Sequence, residues 1–207
     1  MANTTQSHKS GGEESRFQKA MRRIDLANSE DPNREVVDGV DVPKELLYSQ
    51  RMSHWLARLA PDASEELQIA VHAQHIRRWT IPRNTYPMDR DGYLRWRTDL
   101  GRFHAETTAA ILKECGYDET AIARVSALIR KERFKADPEA QTLEDTACIV
   151  FLESYFAGFA RQRDDEEIVR ILTRTWKKMS ENGRQAALTL TLPPEAGALL
   201  ARALAGG

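Results

Sequence analysis

A stretch of 25 residues decides the fold: GYLRWRTDLGRFHAETTAAILKECG, residues 92–116. It contains no proline, and Gly116 is the residue type that commonly ends a helix by adopting a left-handed conformation. The stretch therefore predicts one long helix over residues 92–115. Because His104 lies one helical turn beyond Leu100, we expect its imidazole to point into the protein.

The segments before this helix also carry helical signals. A first helix is predicted by an apolar stripe at helical spacing, formed by Phe17, Ala20, Met21 and Ile24. Residues 28–41 contain proline and glycine and predict a loop, after which a second helix begins at residues 41–43. A capping box at residues 62–65 opens a third helix that runs to about Trp79. That helix would place His72 and His75 on one face.

The segments after the long helix predict four more helices. Asp118 caps the fifth, and Asp137 followed by Pro138 begins the sixth. A seventh covers residues 165–182 and is stopped by Gly183, and a final helix rich in alanine and leucine follows the prolines at 193 and 194. No repeat of fixed period is visible.

These patterns predict an all-α protein, a single-domain bundle of seven or eight helices over residues 14–207, preceded by a disordered tail of residues 1–13. The 207 residues, 41% hydrophobic and 29% charged, suffice for one core. Thirty basic and 31 acidic residues give a net charge of -1, which excludes a protein that binds polyanions over its whole surface. Two cysteines, no apolar run of membrane length and no signal-type N-terminus predict a cytoplasmic protein without membrane contact.

Arginine is concentrated in one segment. Seven arginines and no lysine lie between His72 and Arg102, against three aspartates, so this segment has a net charge of +4. Four aromatic residues alternate with the arginines: Trp79, Tyr86, Tyr93 and Trp96. Arginine binds phosphate and carboxylate groups through two parallel hydrogen bonds, which favours an anion-binding surface. The alternative is a network of salt bridges between helices.

Imidazole and carboxylate groups are candidates for a metal site. Asp145 lies on the apolar stripe of the sixth helix with Ile149, and a buried carboxylate needs a counter-charge, a donor network or a metal. Together with His75 and His104 it would supply the ligands that a transition metal takes in a helical protein, with His72 as a further candidate. Hydrogen-bonded core histidines and a pairing of Asp145 with arginine are the alternative.

Six strings of the sequence carry a resemblance to a known family: YSQRM (48–52), AQHIRRW (73–79), PRNTYP (82–87), RDGYLRWRTDL (90–100), RFHAE (102–106) and QTLEDTACIVFLESYF (141–156). On these strings the chain resembles the domain of unknown function 4202 family of bacteria and fungi. Some members of that family carry a glutamyl-tRNA synthetase label. This sequence has neither the HIGH motif nor the βαβ pattern of such synthetases.

The helix order also resembles, more distantly, that of the HD-type metal-dependent phosphohydrolases, which are helical. Aligned with their pattern, the His-Asp doublet falls on Gln74 and His75, the later histidine on His104 and the final aspartate on Asp145. The first histidine falls near residues 48–50. The resemblance implies an HD-like fold with a divalent metal (Fe, Mn, Ni or Zn) at His75, His104 and Asp145, although the doublet itself is replaced.

The implied function is hydrolysis of a small substrate that carries a phosphate or a carboxylate. Glu144 or Lys131 would transfer protons, and the substrate would be bound by Gln50, Arg51, Gln74, Arg78, Arg83, Arg90 and Arg97. The alternative function is a non-catalytic module that binds RNA or a nucleotide through the arginine- and aromatic-rich surface. A structural or oligomeric partner protein is the third hypothesis.

Overall fold

The computed structural model describes residues 14–132 and 136–205. Within these ranges the protein is 72% helical, with ten α-helices and one two-stranded sheet, which confirms the prediction of a mostly helical protein. The tail predicted for residues 1–13 lies outside the described residues. None of the described helices is long and apolar enough to cross a membrane.

The N-terminal half contains five α-helices: α1 (Arg16–Ser29), α2 (Lys44–Leu59), α3 (Glu65–His72), α4 (Arg90–Glu114) and α5 (Glu119–Ile129). The C-terminal half contains five more: α6 (Pro138–Val150), α7 (Phe156–Ala160), α8 (Asp165–Lys178), α9 (Glu181–Leu188) and α10 (Pro194–Ala205). An antiparallel hairpin of β1 (Arg34–Val37) and β2 (Val40–Pro43) connects α1 to α2. A π-helical turn, Phe151–Tyr155, joins α6 to α7.

Side-chain caps set where most of these helices begin. At α1, Ser15 and Gln18 form a reciprocal capping box. At six other helices the residue before the first turn accepts a backbone N–H of that turn, namely Ser64, Asp89, Asp118, Asp137, Asp164 and Ser180. Because the first N–H groups of a helix have no partner within it, such caps encode the boundary locally. The predicted starts of the fifth and sixth helices are confirmed.

The core lies where α2 packs against α3 and α6, and where α4 runs along α5. Its completely buried side chains include Ile24 of α1, Met52 of α2, Leu112 of α4 and Ile149 of α6. Burying each such side chain contributes about 1.5–3 kcal/mol. Since α5 also contacts α3, the C-terminal end of α5 comes close to the turns that follow α3.

The third helix is shorter than predicted: α3 ends at His72 rather than at about Trp79. The chain continues in turns to Arg77, which has a left-handed backbone with φ 50°, and then forms a short 3-10 helix. A left-handed residue cannot continue a right-handed helix. His72 and His75 therefore do not share a helical face, contrary to the prediction from their spacing.

Two other predicted boundaries were wrong. The predicted loop contains most of the hairpin, whose turn has positive φ at Asp38 (51°) and Gly39 (79°), as a tight type I′ turn requires. The predicted seventh helix divides into α8 and α9, because Met179 is extended and Ser180 caps a new helix. Gly183 consequently lies inside α9 instead of ending a helix. The split into α8 and α9, together with the π-helical turn that separates α6 from α7, raises the number of α-helices among the described residues to ten, above the predicted seven or eight.

Gly183 is required by the packing of α9 against α6. A Cβ atom at residue 183 would lie 2.6–2.9 Å from three atoms of the Asp145 side chain, which is closer than non-bonded atoms approach. We expect Gly183→Ala to lower the free energy of unfolding, measured in denaturant, by about 1–3 kcal/mol. Gly197→Ala in α10 is the control, because no described atom lies within 4 Å of its added Cβ, and it should raise that free energy by about 0.5–1 kcal/mol. Equal effects of the two variants would contradict the close contact.

Candidate functional site

A cleft with a basic wall lies where α4, the end of α5 and the turns after α3 meet. Its volume is about 140 Å³, and we call it the cationic cleft. The polar residues that line it are Gln74, His75, Arg78, Arg97, His104, Arg130 and Lys131. Four of these are basic, and none of the described residues that line the cleft is a carboxylate. All of them except Arg130 were expected in a site from the sequence.

His104 is buried in α4 and presents one free nitrogen. Its Nδ1 lies 2.7 Å from the backbone oxygen of Ile76. Because a carbonyl group only accepts hydrogen bonds, Nδ1 carries the proton and Nε2 keeps a lone pair. Nε2 is buried without a hydrogen-bond partner among the described residues. Burial, assisted by the neighbouring His75, lowers the pKa of His104 to about 3, so this imidazole is neutral.

His75 lies between Glu45 and Tyr48 of α2. Its Nδ1 is 3.3 Å from Oε2 of Glu45, and its ring stacks on the ring of Tyr48 at 3.9 Å, with the planes 10° apart. The Tyr48 hydroxyl in turn donates to Oε1 of Gln74 over 2.9 Å. Burial, and then the positive charge of Arg78, lower the pKa of His75 well below its ordinary value. Burial also raises the pKa of Glu45 to about 7, so near neutral pH this carboxyl group is partly protonated.

The turn of residues 73–77 carries His75 and is held by Asn28. The buried Asn28 side chain accepts the backbone N–H of Arg77 over 3.0 Å and donates to the hydroxyl of Ser49 over 2.8 Å. The Arg77 guanidinium also lies 2.6 Å from Glu30. These contacts stabilise a left-handed backbone that costs about 1–2 kcal/mol in a residue other than glycine.

Three arginines reach the cationic cleft from different elements, and one of them, Arg130, is paired with Glu132 at 2.7 Å. The guanidinium of Arg78 lies over the ring of Trp96 at 4.7 Å, and its Nε is 4.0 Å from Oε1 of Glu45. Arg97 extends from α4, with its guanidinium 5.8 Å from the ring centre of Tyr93. In the part of the chain that the structure describes, no carboxylate lies within 4.0 Å of Arg97. Its charge is therefore available to a ligand.

Lys131 and Glu144, which were expected from the sequence to transfer protons, form an ion pair beside the cleft. Lys131 follows the end of α5 in a left-handed conformation with φ 55°, and Lys178 lies 3.7 Å from the same carboxylate. Burial alone would raise the pKa of Glu144, but Lys131 and Lys178 hold it below its ordinary value. Glu144 therefore remains an ionised partner of two ammonium groups.

Asp145, the expected third metal ligand, is bonded elsewhere. Its Oδ1 accepts the backbone N–H of Ser180 over 2.9 Å and the amide of Gln141 over 3.0 Å, while Oδ2 accepts the Ser180 hydroxyl. These bonds hold the carboxylate at the start of α9, where the helix dipole favours a negative charge. His72, the further candidate, is bonded to Ser53 and Asp25, both at 2.8 Å.

The side chains at the cleft do not fit a divalent metal. Within residues 14–132 and 136–205, no group of three histidine, cysteine, aspartate or glutamate side chains is placed to hold an ion. Moreover, the basic residues that line the cleft beside His75 and His104 would repel a divalent cation. The expected ligand set of His75, His104 and Asp145 is therefore not assembled, because Asp145 is hydrogen-bonded to Ser180 at the start of α9 and the two imidazoles face positive charges.

Four of the residues expected to bind substrate lie outside the cationic cleft. Arg83 donates to two backbone carbonyl groups and so holds the loop before α4. Arg90, at the start of α4, and Gln50, on α2, are exposed. Arg51 lies 2.8 Å from Glu35 of β1, so it connects α2 to the hairpin. The arginine-rich segment thus divides into residues that line the cleft and residues that hold local structure.

A second cavity, of about 250 Å³, adjoins the cationic cleft and shares His75 and Arg78 with it. We call it the aromatic pocket, because its other lining residues are Tyr48, Phe151, Tyr155, Ala147, Lys44 and Glu45. Phe151 and Tyr155 belong to the π-helical turn, and Arg51 donates to the Tyr155 hydroxyl over 2.9 Å. π-Helical turns are frequent at functional sites.

Three features of the site were not predicted from the sequence. Glu45 lies in the first turn of α2, where an acidic residue is common because it complements the helix dipole. Arg130 follows the predicted fifth helix and lies outside the arginine-rich segment, although its basic neighbour Lys131 could have indicated a local cluster. The π-helical turn has no apolar periodicity that distinguishes it from an α-helix.

The metal content of the purified protein distinguishes histidines that bind a metal from histidines that do not. Because the site lacks a third ligand and is lined by cations, we expect mass spectrometry of the purified protein to find divalent metal well below one ion per chain. His104→Ala should leave that content unchanged. His54→Ala, at an exposed histidine that does not line the cleft, controls for loose surface binding. One ion per chain, lost in His104→Ala and kept in His54→Ala, would restore the metal site.

One family model covers most of the chain. It matches residues 18–200, and its description is Domain of unknown function (DUF4202). The matched region includes α2–α9 and every residue of the cationic cleft and the aromatic pocket. No curated protein and no solved structure matches the chain. The chain therefore belongs to the family of the domain of unknown function DUF4202.

Proposed function

We propose that the cationic cleft binds a small molecule that carries a phosphate or a carboxylate group. The observation that supports this most directly is the wall itself, with four basic side chains and, among the described residues, no lining carboxylate. Each hydrogen bond between a charged donor and such an anion contributes about 1.5–3 kcal/mol. A volume of about 140 Å³ accommodates one anionic group with some water.

The two neutral histidines support the same proposal. A bound anion would offset the positive charges that lower the pKa of His75. Those charges would attract the anion, and the anion would in turn raise the pKa of the imidazole. The free Nε2 of His104 accepts a hydrogen bond from a hydroxyl group of the ligand. Leaving a buried acceptor without a partner costs about 1–3 kcal/mol, and the ligand would remove that cost.

Hydrolysis of the bound ester is the second candidate function. It is favoured by His104, whose Nδ1 is oriented by a backbone carbonyl group and whose Nε2 is free, as in a general base. Since a pKa of about 3 makes a weak base, this candidate requires the bound anion to raise that pKa. This candidate function goes together with a second proposal, that the fold is a divergent HD-like arrangement in which His75 and His104 occupy two of the metal-ligand positions.

Binding of RNA is less well supported than binding of a small anion, because the chain has a net charge of -1 and the basic residues line a cleft of limited volume. We also propose a cytoplasmic location. It is supported by Cys115 and Cys148, which are free thiols in the structure and suit a reducing compartment.

Replacement of Arg97 tests the anion site. We expect Arg97→Gln to weaken the binding of inorganic phosphate, measured by titration calorimetry, about tenfold, because one unpaired guanidinium is lost. Arg95→Gln is the matched control, since it removes the same charge from the same helix at an exposed position that does not line the cleft. An equal loss in both variants would indicate attraction by overall charge only, and absence of phosphate binding in the unchanged protein would refute the proposal.

The pH dependence of binding gives an independent test with sulfate, which does not itself titrate near neutral pH. As the pH falls through about 7, Glu45 loses its charge and repels the anion less. At lower pH the bound anion raises the pKa of His75 and His104, so the complex takes up protons and the affinity rises again.

We therefore expect the sulfate affinity to increase in two steps between pH 8 and pH 4. Glu45→Gln should remove the upper step, and His104→Gln should reduce the lower one. An affinity that does not change with pH would show that neither group faces the anion.

A further inference from the structure

The aromatic pocket lies where the organic part of an anion in the cationic cleft would extend. Arg78 and His75 line both cavities, so a phosphate bonded to Arg78 has its remaining substituent beside the aromatic pocket. That pocket has more room than the cleft, about 250 Å³ against 140 Å³. The two cavities together therefore form a site with one charged and one largely apolar compartment.

We infer that the ligand of the cleft is an aryl or heteroaryl phosphate or carboxylate, whose single planar ring occupies the aromatic pocket. This inference rests on the proposed binding of an anion in the cationic cleft. It adds the chemical nature of the group to which the anion is attached, and thereby separates ring-bearing ligands from alkyl and sugar phosphates.

The walls of the aromatic pocket favour a flat ring. Tyr48 is already stacked on His75, and Tyr155 lies 6.1 Å from Tyr48 with the rings tilted by 42°, so aromatic faces and edges meet around the cavity. Phe151 adds a third ring. Aromatic pairs are stabilised beyond the burial of their area. The pocket volume also agrees with a single ring, since a cavity of about 150 Å³ is known to hold benzene.

The polar atoms at the edge of the aromatic pocket would select the substituents of the ring. Glu45 and Lys44 line it, and burial brings the pKa of Glu45 to about 7, so its carboxyl group can accept or donate a hydrogen bond near neutral pH. The Tyr155 hydroxyl is held by Arg51, which is in turn paired with Glu35 of the hairpin. These contacts fix the ring of Tyr155 before a ligand binds and reduce the entropy lost on binding.

Matched pairs of probes test the inference on the full chain. Titration calorimetry would compare phenyl phosphate with methyl phosphate, and benzoate with acetate, with inorganic phosphate as the reference for the cleft alone. We expect phenyl phosphate to bind at least tenfold more tightly than methyl phosphate, and benzoate to bind more tightly than acetate. Equal affinities within both pairs, with inorganic phosphate still bound, would overturn the inference and leave the proposed function intact. Failure of every probe, inorganic phosphate included, would overturn both.

Two variants test whether the preference for phenyl phosphate over methyl phosphate arises in the aromatic pocket. Ala147→Leu fills the aromatic pocket from α6 without touching the cationic cleft, so it should abolish the preference for phenyl over methyl phosphate and leave the affinity for inorganic phosphate unchanged. Phe151→Leu keeps nearly the same volume and should reduce the same preference, which provides a second readout if Ala147→Leu does not fold. A preference that survives in both folded variants would place the ring outside the aromatic pocket and overturn the inference.

Discussion

The buried amide of Asn28 is the contact on which the candidate site depends. It connects α1 to α2 through Ser49 and to the turn of residues 73–77 through the backbone of Arg77. Because that turn is fixed, Ile76 presents its carbonyl group to His104, and His75 lies against Tyr48. The tautomer of one histidine and the stacking of the other thus depend on a turn that this side chain, which is 0% exposed, helps to hold.

The electrostatics of the site follow from burial and from neighbouring positive charge. Both effects favour neutral histidines, since a protonated imidazole would be desolvated and repelled by Arg78. The same positive charge disfavours a divalent cation in the cleft and favours an anion there. Lys131 and Arg130 contribute less than free cations because Glu144 and Glu132 pair with them. Arg97 is therefore the charge with the greatest share available to a ligand.

Much of the fold could be predicted from local sequence, but the contacts of the site could be predicted only in part. Capping residues such as Asp118 act within one turn, so helix starts are visible in the sequence. The end of α3 is not, because the left-handed Arg77 is stabilised by Asn28, which is 49 residues away. The burial of Asp145 was visible in its apolar stripe, whereas its partner Ser180, 35 residues distant, was not. Sequence patterns and the family resemblance indicated some of the residues that meet at the cleft, such as His75, His104 and Arg97, but not Arg130 and not what the cleft binds.

The π-helical turn at residues 151–155 makes the wall of the aromatic pocket sensitive to chain length. Such a turn holds one residue more than the α-helical turn it replaces, and each residue of a helix corresponds to a rotation of about 100°. Deleting a single residue there would restore a regular helix and remove the widened turn that carries Phe151 and Tyr155 to the wall of the pocket, while the helices on either side keep their register. One insertion or deletion event could therefore change ligand preference during evolution while the cationic cleft, built from earlier segments, stayed the same.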